Sequence, residues 1–205
     1  MNISQEYYKK LSQEKLNEEL LASAMNGRLE EMKFLLLSKE LYYNANIHFK
    51  DENGNNALIL SAKRGHIENI KFLLSSTELS EHAQIESKNN KKRTALSYAV
   101  MLNNKQLVNY LLTSSDLKKT ANIHTKDDEG TNILMLASQY GCSEILKFLV
   151  IDMNIKVSYS TLYWLQGGNR EKIIYKNTLH LLEKRNLYDK LNNININKHK
   201  KSFKI

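Results

Sequence analysis

The 205-residue chain has a single cysteine, Cys142, and no proline. One thiol forms no intrachain disulfide and cannot assemble a cysteine-based metal site. A reducing compartment such as the cytosol is its expected location. No stretch approaches the roughly 18 consecutive apolar residues that cross a bilayer. The opening residues, MNISQEYYKKLSQEKLNEELL, are polar and amphipathic and hold no apolar signal core. This argues against a conventional secretory route, while signals of unconventional routes do not take that form. There is also no glycine-rich phosphate loop, GxSxG elbow or HExxH pair. No catalytic residue, cofactor or metal centre is therefore expected.

With 41% hydrophobic and 25% charged residues, the chain falls among folded soluble proteins rather than disordered ones. Thirty basic against 22 acidic side chains leave a net charge of +8. That charge permits an acidic protein, nucleic acid or an anionic membrane as partner and selects none of them. Abundant Lys, Asn and Ile point to an AT-rich coding genome.

What the chain does have is an internal repeat. GNNALILSAKRGHIENIKFLL begins at Gly54, KRTALSYAVMLNNKQLVNYLL at Lys92 and GTNILMLASQYGCSEILKFLV at Gly130, a step of 38 residues each time (54 to 92 to 130). A fainter copy, NEELLASAMNGRLEEMKFLLL, precedes them. Phe34, Phe72, Tyr110 and Phe148 form one column at this step. Leu20, Leu58, Leu96 and Leu134 form a second, Leu35, Leu73, Leu111 and Leu149 a third, and Ala45, Ala83 and Ala121 a fourth.

Each copy reads as two helices. The first spans 56–64, 94–102 and 132–140, opening on Asn56, Thr94 or Asn132, whose side chains can accept from the free N–H groups of a first turn. It closes at Gly65, Asn103 or Gly141, residue types that tolerate the left-handed backbone that ends a helix. The second, as over 66–75, carries Ile67, Ile70, Leu73 and Leu74 on one apolar face. One such pair cannot bury its apolar surface alone, so neighbours are expected to stack along shared columns.

These residues resemble the ankyrin repeat, whose hallmark is a Gly-x-Thr-Pro-Leu-His-x-Ala-Ala turn and helix, a Gly-His, and a second helix ending Leu-Leu. Gly54, Leu58, Gly65, His66, Leu73 and Leu74 match. So do Thr94, Leu96, Leu111 and Leu112, and then Gly130, Leu134 and Gly141. The family's proline is replaced by Ala57, Ala95 and Ile133, its histidine after the leucine by Ile59, Ser97 and Met135, and one hairpin glycine by Lys92. Lys92 should cost about 1 kcal/mol if its φ is positive. The extra length over the family's 33-residue period falls between Leu74 and Ala83 and between Leu112 and Ala121, as a longer helix end or a wider loop.

The resemblance implies an all-α ankyrin-repeat solenoid of stacked helix pairs with hairpin-loop connections. Expected are an N-terminal capping helix (1–19) and four repeats over 16–157, at about 16–49, 50–87, 88–125 and 126–157. A degenerate C-terminal capping unit (158–189) and a frayed basic tail (190–205) follow. It implies a non-enzymatic module, a monomer binding another protein. Irregular Lys- and Asn-rich repeats of this kind resemble those of intracellular bacteria and large DNA viruses, which would place the protein in the cytoplasm or in a host cell reached by an unconventional route.

By position, the family's binding surface of hairpin tips and exposed first-helix ends falls on Met25 and Asn26; on Glu52, Asn53, Asn55, Lys63 and Arg64; on Asn90, Lys91, Arg93, Met101 and Leu102; and on Asp128, Glu129, Thr131, Gln139 and Tyr140. Lys50, Lys88 and Lys126 share a column and could form a basic ridge. Nucleic-acid or anionic-surface binding through the net charge and Lys198, Lys200, Lys201 and Lys204 is the alternative. The acidic hairpins argue against a continuous basic track, and nucleic acid is the less favoured partner. Cys142 is read as structural, as is His66, which matches the Gly-His that caps the family's second helix; His48 and His124 are read as exposed or hydrogen-bonding loop residues rather than a metal pair. The acidic turns at Asp51 and Asp127 are read as hairpin tips rather than calcium loops, because they lack alternating ligands and a distal Glu.

Overall fold

The structure, a computed structural model, describes residues 3–153 and 155. The predicted C-terminal capping unit and basic tail, 158–205, lie outside the described residues. The chain divides into two compact bodies, Met1–Thr131 and Asn132–Ile205.

The first body contains α1 (Ile3–Tyr8), α2 (Gln13–Asn26), α3 (Leu29–Leu37), α4 (Ala57–Arg64), α5 (Ile67–Ser75), α6 (Ala95–Met101) and α7 (Lys105–Thr113). Helices α2 and α3, α4 and α5, and α6 and α7 pack as pairs; α2 lies against α4, α4 against α6, and α3 against α5. The second body begins with α8 (Ile133–Gln139) and α9 (Ser143–Lys147), which pack together, and α9 continues into a π-helical turn, Phe148–Asp152. The described residues contain no β-sheet, and the fold class is the all-α array of helix pairs expected from the repeat.

The leucine columns are the core. Leu20, Leu58, Leu96 and Leu134 are buried, and Leu35, Leu73, Leu111 and Leu149 have no exposed surface. Each fully buried leucine contributes about 1.5–3 kcal/mol by leaving water, which a short helix pair realises only where a neighbour covers it.

Local chemistry sets the helix limits. Asn56 Oδ1 accepts from Ile59 N–H at 3.0 Å and Asn132 Oδ1 from Met135 N–H at 3.0 Å. Thr94 Oγ1 accepts from Ser97 N–H at 3.4 Å while Ser97 Oγ accepts from Thr94 N–H, a reciprocal cap. Past the helix ends the backbone turns left-handed, at Gly65 (φ 77°), Asn103 (φ 53°) and Gly141 (φ 68°). The extra residues form a wide loop rather than a longer helix. The loop is closed the same way in each repeat of the first body: Ala45, Ala83 and Ala121 N–H donate to Leu35, Leu73 and Leu111 carbonyls at 2.9, 2.9 and 2.8 Å. In the second body the carbonyl of Leu149 accepts instead from Ile155 N–H, at 3.2 Å, six residues on rather than ten.

The N-terminal segment differs from the single capping helix expected over 1–19. Ser12 adopts an extended backbone and its side chain accepts from Lys15 N–H, so a new helix starts at Gln13 and runs through the first repeat. Helix α1 becomes a separate lid. Its Tyr8 is buried with the ring 5.9 Å from that of Phe34, and its hydroxyl donates to Glu31. Burial, then the Glu31 carboxylate, push that phenol above its ordinary pKa. Lys9 ties the lid down by pairing with Glu6 at 3.1 Å and Glu40 at 2.9 Å.

Lys92 takes φ 54° at the hairpin position where Gly54 has 75° and Gly130 has 77°, as its replacement of glycine implied. The strain follows from a Cβ in the left-handed region. Lys92→Gly should therefore stabilise the protein by about 1 kcal/mol in urea denaturation. Gly54→Ala should destabilise it by about 2–3 kcal/mol, because a Cβ there adds to the φ strain a clash 2.4 Å from Asn90 Oδ1 and 2.9 Å from Asn90 N. Gly130→Ala, with nothing within 4 Å of the new Cβ, should cost only the backbone part, about 1 kcal/mol.

Candidate functional site

The hairpins that link the repeats are built on one residue each: Asp51, Asn89 and Asp127. Asp51 Oδ1 accepts from Asn53 and Asn55 N–H at 3.0 and 2.7 Å. Asn89 Oδ1 accepts from Lys91 and Arg93 N–H at 3.1 and 3.0 Å. Asp127 Oδ1 accepts from Glu129 and Thr131 N–H at 3.1 and 2.8 Å. A short polar side chain satisfying its own backbone two and four residues ahead is what makes Asx turns stable. Because these oxygens are occupied by amides, the acidic turns act as hairpin tips.

Successive hairpins are then stitched together. Asn90 N–H donates to the Asn53 carbonyl at 2.9 Å, and one step later Asp128 N–H donates to the Lys91 carbonyl at 3.1 Å. Asn89 Nδ2 donates to Asn55 Oδ1 at 2.9 Å and to the Tyr98 hydroxyl at 2.8 Å. At the next step the amide pair becomes a charge pair: Arg93 Nε and a terminal guanidinium nitrogen both reach Asp127 Oδ2 at 3.3 Å, with only 1% of the Asp127 side chain exposed. Lys50 Nζ donates to the Lys88 carbonyl at 3.0 Å, so the first member of the lysine column fastens one hairpin to the next.

This architecture sorts the residues expected at the binding surface. Asn55 and Thr131 are buried, which corrects their placement there: Asn55 is held by Asp51 and Asn89, and Thr131 closes the Asp127 turn. Arg93 and Met101 are half-buried, Arg93 because it faces Asp127. Met25, Asn26, Lys50, Glu52, Asn53, Lys63, Arg64, Lys88, Asn90, Lys91, Leu102, Lys126, Asp128 and Glu129 are exposed in the first body, as are Gln139 and Tyr140 in the second. Leu102 is 48% and Tyr140 45% exposed.

Sequence reasoning passed over Tyr42 and Tyr43. They stand out on the loop after α3, 86% and 51% exposed, with ring centroids 4.4 Å apart in an edge-to-face pair. The signal was their break with the repeat: the corresponding residues are Ser80-Glu81 and Lys118-Lys119.

Cys142, His66 and His48 have structural partners. Cys142 is buried and its thiol donates to the Tyr140 carbonyl at 3.6 Å. His66 stands at the N-cap of α5, but its side chain makes no capping bond. Its Nε2 instead meets the Met25 carbonyl of the preceding repeat at 3.0 Å, and the ring lies so close over Gly27 that a Cβ there would be 2.7 Å from Nδ1. His48 Nε2 lies 2.9 Å from Glu81. No group of three metal-ligating side chains is found among the described residues, and no described helix is long and apolar enough to cross a membrane.

Helix pairs repeated at a fixed step, joined by hairpins that stitch to one another and present a variable rim, define a solenoid of the kind used for recognition. The family model described as ankyrin repeats (3 copies) matches residues 20–123 and 77–160. The chain belongs to the ankyrin-repeat family. No curated protein matches it.

The Asp127 pairing gives a direct test. Asp127→Ala removes the acceptor of two turn hydrogen bonds and leaves the Arg93 guanidinium without its carboxylate, and should lower unfolding stability by about 3 kcal/mol. Asp127→Asn keeps the Oδ1 acceptor, as Asn89 does naturally, and should cost about 1 kcal/mol. Equal losses from the two substitutions in urea melts would show that charge rather than turn geometry dominates.

Proposed function

We propose that the protein is a non-enzymatic binding module, an adaptor, inhibitor or host-directed effector. It takes a partner protein across its hairpin tips and the C-terminal ends of its first helices, acting as a monomer in the cytoplasm or in a host cell. The observation that carries this reading is a contrast within the repeat. Ala24, Ala62, Val100 and Ser138 are buried at one repeat position. The two residues after each of them vary, from Met25-Asn26 to Lys63-Arg64 to Met101-Leu102 to Gln139-Tyr140, and all but Met101 are exposed. Packing dictates the first position and leaves the next two to solvent, where exposed Leu102 and Tyr140 suit the anchor role of bulky side chains at interfaces. Ankyrin repeats are typically protein–protein interaction modules, which supports the same reading.

The hairpin tips bear on the competing nucleic-acid reading. Glu52, then Lys91, then Asp128 and Glu129 alternate in sign, so a phosphate backbone laid along them meets repulsion at every second step.

Affinity purification from the native or host cell, followed by titration of the recovered partner, tests the proposal. The variants Leu102→Lys and Tyr140→Lys, each at an exposed position, should retain wild-type thermal melting and weaken that partner by about tenfold or more. Undiminished binding by both variants, or a preference for duplex DNA that falls steeply with salt, counts against the proposal.

A further inference from the structure

We infer that the ends of α4 and α6 form a mixed basic–apolar seat for an acidic protein segment that carries a bulky apolar side chain close to its carboxylates. This rests on the binding surface proposed above and names the chemistry of what it takes.

The distribution of ion pairs points there. On α2, on α3 with its N-cap, and on α5, basic side chains are neutralised one turn away: Lys15 by Glu18, Arg28 by Glu31, Lys33 by Glu30 and Lys71 by Glu68, at 2.5–3.2 Å. Lys63 and Arg64 differ. They are adjacent and exposed at the last turn of α4, and no carboxylate among the described residues lies within ion-pair distance of either. Neither α4 (ALILSAKR) nor α6 (ALSYAVM) contains an acidic residue. Two cations at a helix C-terminus gain from the helix dipole, which accounts for their tolerance, but that gain requires no apolar neighbour.

The neighbour is Leu102, the residue that corresponds to Arg64 one repeat later. It is 48% exposed, and its Cδ1 lies 3.7 Å from where a Cβ on Gly65 would stand. A half-exposed isobutyl group therefore sits against the α4 terminus, at the glycine that follows the two cations. Packed helices lie on the order of 8–10 Å apart, a distance spanned by about three residues of extended chain. The complementary segment therefore places Asp or Glu over Lys63 and Arg64 and a Leu, Ile, Phe or Met about three residues away over Leu102. A phosphodiester backbone satisfies the cations but offers nothing to Leu102, so the apolar half of the seat favours a peptide.

The test uses the full chain as bait for a displayed library of random dodecapeptides, followed by titration of a synthetic copy of the enriched sequence. The expected result is enrichment of sequences with an acidic residue three or four positions from a bulky apolar one. Lys63→Glu with Arg64→Glu should weaken the synthetic peptide by about tenfold or more, as should Leu102→Lys. A peptide with its acids changed to Lys should bind the charge-reversed variant better than it binds the wild type, a rescue that a damaged fold cannot give. Enriched peptides without acids, whose affinity survives the charge reversal, overturn this inference and leave the binding surface standing. A library that yields no binder overturns the inference and the surface together. Competition by a 20-base-pair DNA duplex as strong as that of the peptide at physiological salt overturns it in favour of a general polyanion site.

Discussion

A helix pair this short has more apolar surface than its own two helices can hide, and the fold follows from that mismatch. Helix α4 is eight residues long and α6 seven, too short to be stable as isolated helices in water. Their burial comes from sideways contact: α4 receives α2 on one side and α6 on the other. Each interface must then accept the same shape at every step, which is why in the first body one leucine column runs through α2, α4 and α6, and another, with no exposed surface, through α3, α5 and α7. The 38-residue period is the sequence record of that packing requirement.

The hairpins meet a second requirement imposed by the first. Chain that crosses from one repeat to the next carries amides and carbonyls that need partners. Asp51, Asn89 and Asp127 supply them locally, and the bonds from Asn90 to Asn53 and from Asp128 to Lys91 supply them between repeats. The chemistry of the stitch is free to change as long as donor meets acceptor: Asn89 with Asn55 in one place, Asp127 with Arg93 in the next. His66 reaching back to the Met25 carbonyl over Gly27 is the same solution at the helix ends.

The proposed binding surface occupies what these requirements leave unused. Most side chains after Ala24, Ala62, Val100 and Ser138, and at the hairpin tips, face solvent while the backbone there does the stitching, and at these side chains the repeat loses its regularity. The surface is a mosaic of thioether, cation and aliphatic groups whose composition can change without loss of the scaffold. The paired tyrosines at 42 and 43 lie on a different edge, the wide loop after the second helix of a pair, where the other loops carry Ser-Glu and Lys-Lys.

By itself the sequence determined the repeat, its step, the caps at Asn56, Thr94 and Asn132, the left-handed stops and the buried columns, because each is a local or strictly periodic demand that residue type and spacing express directly. The positive φ of Lys92 was readable for the same reason. Tertiary structure alone decided which hairpin residues face inward. Asn55 and Thr131 looked like tip residues, and Arg93 like an exposed cation, until the neighbouring hairpin closed over them. It also decided where α1 goes after the locally capped break at Ser12, with Tyr8 against Phe34. Those outcomes depend on which atoms a residue meets 30 or so positions away, and a polar side chain carries the same letter whether it meets water or a partner in the next repeat.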